Sequence, residues 1–457
     1  MGLAITGCAA STATADQADQ AGDVAGQVEG QAIADVTCPV PTIDPTRSLA
    51  VTDPTALAKF SFRRVLTQIA SSANATNTPL AIYQAWMATF ADCNDPKIDP
   101  NGYGIVCPRV ESQFGAFNPF DQSGPHFVPV ALTNRFDLAP TSGADCGENR
   151  IEFALQGGQG RGFIIFESRM PNPNPAAGLA GCAPVADFWA QLSTDPSATS
   201  RASKLEQFYF TGIPGFEPVV AASHYGLEVN STTTTAHPKG QIRTNFFASF
   251  VQWQLREFQL SKPCAATASC ALSVDDVTVK VNPANELFEG THPNAPAFQA
   301  QFLGQIPALS QTTAATIGMS TGNNFNEFES VSSGKTDVLY ATFTEQSFKN
   351  QITAALTSAG STLTAQNILD RATTQTCAGC HELSSGSHAQ LGAGVVWPSS
   401  LGFVQIDEQS NLSPALTTSF LPHRSTVLTT FLQGQCIGVT PVDNGANIGG
   451  GGLDAAN

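Results

Sequence analysis

Two thiols three positions apart, followed directly by an imidazole, stand in the run Cys377-Ala378-Gly379-Cys380-His381. These residue types at this spacing suit covalent attachment of a porphyrin. Each sulfur can add to one vinyl group, and the imidazole is carried under the iron as an axial ligand. With 11 Cys and 7 His among 457 residues, random order would produce the pattern roughly 0.004 times per chain. Composition is therefore a poor explanation. The spacing predicts one haem c, with Cys377 and Cys380 as attachment points and His381 as proximal ligand.

Other chemistries of the same five residues are weaker. A redox-active disulfide usually sits in a βαβ context and needs no His at the next position. Zinc would require a second Cys or His pair to complete four ligands, and the sequence has none at suitable spacing. A metalloprotease helix would need His at position 385, which is Ser385. A motif that holds no haem is the remaining alternative.

The sixth iron position divides the functional expectations. The four methionines, Met1, Met87, Met170 and Met319, all precede the motif, so a downstream Met ligand is excluded. Were the helix to continue to His388, that side chain would lie about 10 Å along the same face, on the wrong side of the ring. His423 is four residues before Val427 and shares its helical stripe, which makes it the candidate sixth ligand. Met319 and an open position are further options. Bis-His ligation implies a low-potential electron carrier, whereas an open position permits peroxide, NO or O₂ chemistry.

Cysteine usage predicts export. Ile5-Thr6-Gly7-Cys8 resembles the lipobox of bacterial lipoproteins. The resemblance implies acylation of Cys8, and Ala9 after it points to the outer membrane. Met1 to Gly7 lacks the basic and apolar segments of a signal peptide, so residues 1–8 read as a truncated signal whose true start lies upstream. Setting aside Cys8, Cys377 and Cys380 leaves eight cysteines, consistent with four disulfides in an oxidising compartment. Cys93 with Cys107 and Cys264 with Cys270 are the simplest local pairings.

The elements that must position these groups read as α+β. Residues 9–37 form a flexible tether and 437–457 a disordered tail. Helical spacing over 62–69 and 81–90 is followed by strand-like runs at 128–135, 150–155 and 162–170. Helices over 185–192 and 200–210 precede further strands at 242–247, 253–260 and 277–281. Helices resume at 296–303, 345–356 and 363–372, and a last one opens at Pro422. The expected organisation is a disulfide-containing α+β body with an antiparallel sheet over 38–345 and a small, mainly helical region over 346–436. That second region, a helix leading into the motif, an irregular segment and a final helix, resembles small cytochromes c. The resemblance implies that the first and last of its helices cross beside the haem.

Charged residues are only 13% of the chain, net charge is −16, and no Lys/Arg cluster is visible. Nucleic acid and anionic membrane surfaces are thereby disfavoured as partners. No apolar run is long enough to span a bilayer, so membrane association is expected only through a lipid anchor. Arg135, Asp137, Glu148 and Arg150 place alternating charges beside predicted strands, a pattern that suits buried ion pairs or a polar ligand site. Their segment, Asn134-Arg135-Phe136-Asp137-Leu138 and Asp145 to Arg150, resembles one in exported myxobacterial-type proteins that end in Cys-x-x-Cys-His, to which no activity attaches. Asp92, Asn94, Asp95, Asp99 and Asn101 lack the order of a calcium loop and read as a turn. His224, His237 and His292 are isolated and receive no role.

The sequence thus predicts an envelope-located, periplasmic or outer-membrane lipoprotein that transfers electrons through one haem c. Its partner would be a redox protein or a small-molecule substrate. The alternatives are a disulfide-stapled surface binding protein without haem, and a haem enzyme or gas sensor with an open sixth position.

Overall fold

The computed structural model describes residues 38–93, 98–158, 160–227, 240–248, 252–264, 268–332, 340–385 and 390–436. Cys8, the 1–8 and 9–37 segments, the 437–457 tail, His237 and His388 lie outside them. The fold is α+β. Strands β1 (Ala50–Val51), β2 (His126–Arg135), β3 (Asp145–Gln156), β4 (Gly162–Pro171), β5 (Gln241–Ala248), β6 (Gln252–Ser261) and β7 (Ser273–Val277) lie side by side in chain order, every pair antiparallel. A short β8 (Ser330–Ser332) pairs with β6 beside β7.

Among the described residues, nine helices of nine residues or more accompany this sheet. They are α1 (Phe62–Ser72), α2 (Pro79–Thr89), α3 (Ala183–Leu192), α4 (Ala198–Phe210), α5 (Ala295–Leu303), α6 (Gln346–Ser358), α7 (Ala365–Thr373), α8 (Cys377–Ser385) and α9 (Leu421–Cys436). Local chemistry sets their starts. The Ser61 and Thr78 hydroxyls accept the Arg64 and Ala81 N–H groups, and Pro79 begins α2 where a missing N–H costs nothing. Thr364 and Asn367 form a reciprocal capping box on α7.

Residues directly opposite in an antiparallel sheet share a face, so register sorts the side chains. On one face Ile151, Phe153, Ile164, Phe166, Ile242 and Phe258 are buried. They meet aromatic side chains of α1 and α2: Phe62 lies 5.2 Å from Phe153 and Trp86 5.3 Å from Phe258. On the opposite face Thr133, Arg150, Glu167 and Gln241 align across β2 to β5. Glu152, Ile165, Arg243 and Glu257 align across β3 to β6. Every one of these charged side chains is buried.

Three expectations need correction. The strand expected over 277–281 is found earlier, at Ser273–Val277, and ends where the expected one would begin. Val281 is left-handed at φ 52°, and the Lys280 N–H turns to the Glu257 carboxylate. The chain does not divide at 345/346, because residues from Ile43 to Leu432 join one hydrophobic core. Nor do the first and last helices of 346–436 cross as principal partners. α7 packs against α6 and the Tyr340–Phe343 helix, while α9 packs against α3 and the turn Phe136–Leu138. Phe431 of α9 packs against Phe136 at 4.8 Å with the rings tilted, which commits α9 to the end of β2.

Four disulfides close the structure: Cys38–Cys436, Cys93–Cys107, Cys146–Cys182 and Cys264–Cys270. Both local pairings expected from spacing are present. Among the described residues no helix is long and apolar enough to cross a membrane.

Candidate functional site

Helix α8 begins at Cys377 and carries the whole motif in buried positions. Thr376 caps it, accepting the Gly379 N–H on its hydroxyl at 2.9 Å. The Ala378 N–H donates to the Ser330 hydroxyl at 3.0 Å, which fixes the helix start to β8. Ser332 of β8 donates to the Glu382 carboxylate one turn on. The helix therefore lies along β8 and β6, with Cys377 and His381 one turn apart on one face.

Gly379 has a steric reason. A Cβ built there would run into the Thr373 carbonyl oxygen and the Thr376 hydroxyl. Gly379→Ala is expected to lower folding stability by about 1–3 kcal/mol, as overpacking of a filled interior does. Equilibrium denaturation with guanidinium measures it, and an unchanged midpoint would contradict the tight approach of α8 to the preceding turn.

His381 is fully buried, and its Nδ1 meets the Phe403 carbonyl oxygen. Phe403 is itself held to α8, since its N–H donates to the Ser385 hydroxyl at 2.9 Å and Ser385 donates to the His381 carbonyl at 2.7 Å. The φ of 70° at Phe403 turns both backbone groups towards the helix. With Nδ1 donating to a carbonyl, the tautomer leaves the Nε2 lone pair as the one suited to a metal. The Trp253 ring of β6 lies 5.5 Å from the imidazole.

Neither Cys377 nor Cys380 is in a disulfide, and both are buried. Burial pushes the Cys380 thiol strongly up, and Cys377 adds to it, while the Trp397 and Gln405 side chains and Arg243 favour the anion without overcoming burial. Cys380 is thus a neutral thiol at physiological pH, unsuited to nucleophilic catalysis. Among the described residues no three His, Cys, Asp or Glu side chains converge as a metal site, so direct Cys/Cys/His zinc coordination is not the arrangement. Thioether formation suits the same position, because a sulfur bonded to carbon stays neutral in a low-dielectric interior. The residues of α8 fit the attachment chemistry of a haem.

His423 is elsewhere. It lies near Asp137, Arg135 and Arg424 at the end of β2, where burial lowers its pKa and Asp137 opposes the shift. Four strand spacings, about 19 Å, separate β2 from the β6 strand beneath His381. His423 is therefore not brought to the imidazole it was expected to face. The reason is that α9 packs through Phe431 on Phe136 and through Arg424 near Asp137. Met319 is buried near the Ile306–Leu309 segment, with Gly318 N–H donating to Ala308.

The charged residues noticed in the sequence form ion pairs within a larger buried array. Arg135 contacts Asp137 at 3.0 Å and Arg150 contacts Glu148 at 2.7 Å. Glu167 and Arg243, one strand further on, meet at 3.4 Å, and Arg243 reaches Glu257 at 2.7 Å. Glu167, Arg243 and Glu257 were missed because each comes from a different strand. Only Glu167 left a signal, a charge ending the apolar run Phe163 to Phe166, whereas Arg243 and Glu257 lie in strands of mixed polarity. Asp99 accepts the Tyr103 and Gly104 N–H groups, as a turn does.

Comparison with family models, with curated proteins and with solved structures finds no match for this chain.

Proposed function

We propose that this chain is an envelope-located c-type haem protein that passes single electrons, with one haem held by Cys377 and Cys380 and ligated by His381. The observation that carries the reading is the fixed imidazole. One buried helix holds both thiols and His381, and the Phe403 carbonyl takes the Nδ1 proton so that Nε2 suits iron. The eight other described cysteines are all used in disulfides, which also favours an oxidising compartment.

A bound haem supplies a one-electron couple. The chain's own residues do the rest. Cys377 and Cys380 would hold the group, each thiol adding its S–H across a vinyl double bond with the hydrogen passing to carbon, which would require no oxidant. His381 is oriented by Phe403, and Phe403 by Ser385. Burial of all three motif side chains keeps water away and requires attachment before the chain closes around them. The sixth position is not assigned to His423, and Cys8 remains the proposed site of lipid attachment.

The test is production with the c-type maturation machinery. Covalent haem is expected by in-gel peroxidase stain, and a reduced α-band near the 550 nm region by absorption. C377A/C380A should lose the covalent stain. A folded wild-type chain with neither signal, whose motif thiols react with maleimide only after unfolding, would leave the second reading in place. That reading, favoured by the four disulfides, is a stapled surface binding protein without haem.

A further inference from the structure

The face of the sheet beneath α8 carries a buried charged array that the attachment chemistry does not use. Glu167 of β4 sits at its centre and is fully buried. From β3, Arg150 approaches it at 3.1 Å, with Glu148 paired to Arg150 behind. From β5, Arg243 approaches at 3.4 Å and the Gln241 amide donates to the same carboxylate. From β6, Glu257 shares Arg243 at 2.7 Å. Lys280, partly exposed, reaches Glu148 at 3.4 Å and brings the array to the surface. Arg169, two residues along β4, pairs with Asp145 at 3.5 Å. Arg243 also favours the anion of Cys380 electrostatically, as the smallest of several influences on that thiol.

One guanidinium thus pairs with a buried carboxylate that has two carboxylate neighbours and also bears electrostatically on the motif. We infer that Glu167 is a proton-binding site coupled through Arg243 to the redox state of the haem held on α8. The inference rests on the haem reading for its electron, and on the array alone for its proton. Glu167 takes one proton from solvent when a one-electron donor delivers one electron to the haem, and returns it on oxidation. No bond other than the carboxyl O–H forms or breaks. The physical reason is the charge added near Arg243, which weakens the hold of that guanidinium on the Glu167 anion. Burial, with Glu148 and Glu257 adding to it, already pushes Glu167 up to about 7 against the pull of Arg150 and Arg243. The proton is therefore exchanged in the neutral range.

The experiment is potentiometric titration of the haem-loaded full chain from pH 5 to 9, beside reduced-minus-oxidised infrared difference spectra. The wild-type potential is expected to fall with rising pH near neutrality, by up to about 59 mV per unit, the one-electron equivalent of a tenfold change in proton activity. A protonated-carboxyl band should appear on reduction. E167Q should flatten the slope by more than half and remove the band. E257Q, which takes away one neighbouring negative charge, should move the bend to lower pH, and this arm serves if E167Q does not fold. A slope and band that persist in E167Q, or a bend unmoved in E257Q, overturn the inference while the haem reading stands. A chain that takes up no haem overturns both.

Discussion

Replacing Cys38 and Cys436 by Ala is expected to cost about 6 kcal/mol of unfolding free energy, the largest loss of any single disulfide in the chain. The bond joins residues 398 apart, almost the whole described chain. A cross-link acts mainly on the unfolded ensemble, where the entropy it removes grows with the logarithm of loop length. Cys93–Cys107, separated by 14 residues, should contribute only about 3 kcal/mol by the same argument. The folded state holds both ends in place by other means. The Asp44 N–H donates to Ser193 at 2.9 Å, and α9 packs against α3 and the short helix Pro45–Ser48. The C38A/C436A chain should therefore keep its secondary structure and unfold at lower denaturant. Equilibrium denaturation of the two double variants measures the difference, and equal losses would contradict the loop-entropy account.

Arg150→Met should destabilise the fold by about 3–5 kcal/mol, because it leaves two buried carboxylates without their main counter-charge. Arg150 contacts Glu148 at 2.7 Å and Glu167 at 3.1 Å, and all three are buried. Burial alone would raise Glu148, yet Arg150, followed by Lys280, Arg169 and Arg135, holds it well below the usual carboxylate range. A carboxylate held low stabilises the fold above its unfolded pKa and loses that contribution as pH falls through the folded value. In R150M this support is removed and burial is left to raise the stranded Glu148, so the loss should be greatest at neutral pH and shrink towards pH 5 as that carboxyl takes up a proton. The double variant E148Q/R150M should be more stable than R150M at pH 7, since it removes one stranded charge as well as its partner. Thermal and chemical unfolding of both variants at pH 7 and pH 5 checks this. An R150M chain within about 0.5 kcal/mol of wild type would mean that the array is hydrated and not buried.

The site was partly legible before the fold was known. Cys377, Cys380 and His381 are local, and a helix makes their spacing meaningful without any tertiary contact. The disulfides followed the same rule: the pairings at separations of 14 and 6 were visible, whereas Cys38–Cys436 and Cys146–Cys182 depend on how distant segments meet. Phe403, which sets the tautomer of His381, is 22 residues away on an irregular loop. No periodicity marks it. His423 misled for a related reason, since its stripe indicated that α9 faces a core but not which part. The packing of Phe431 on Phe136 settled that choice in favour of the end of β2.

What the sequence by itself determined is therefore of short range: the Cys-x-x-Cys-His spacing, the strands read from short β-branched or aromatic runs, and the helices read from apolar spacing. Only the tertiary structure decided that 346–436 belongs to the same core as the body, and that Glu167, Arg243 and Glu257 stand in one line beneath α8. Strand register brings residues together across the sheet at spacings of about 5 Å however far apart they are in the chain. Such neighbours leave only a period-two trace in each strand, and the partner is named when the strands pair.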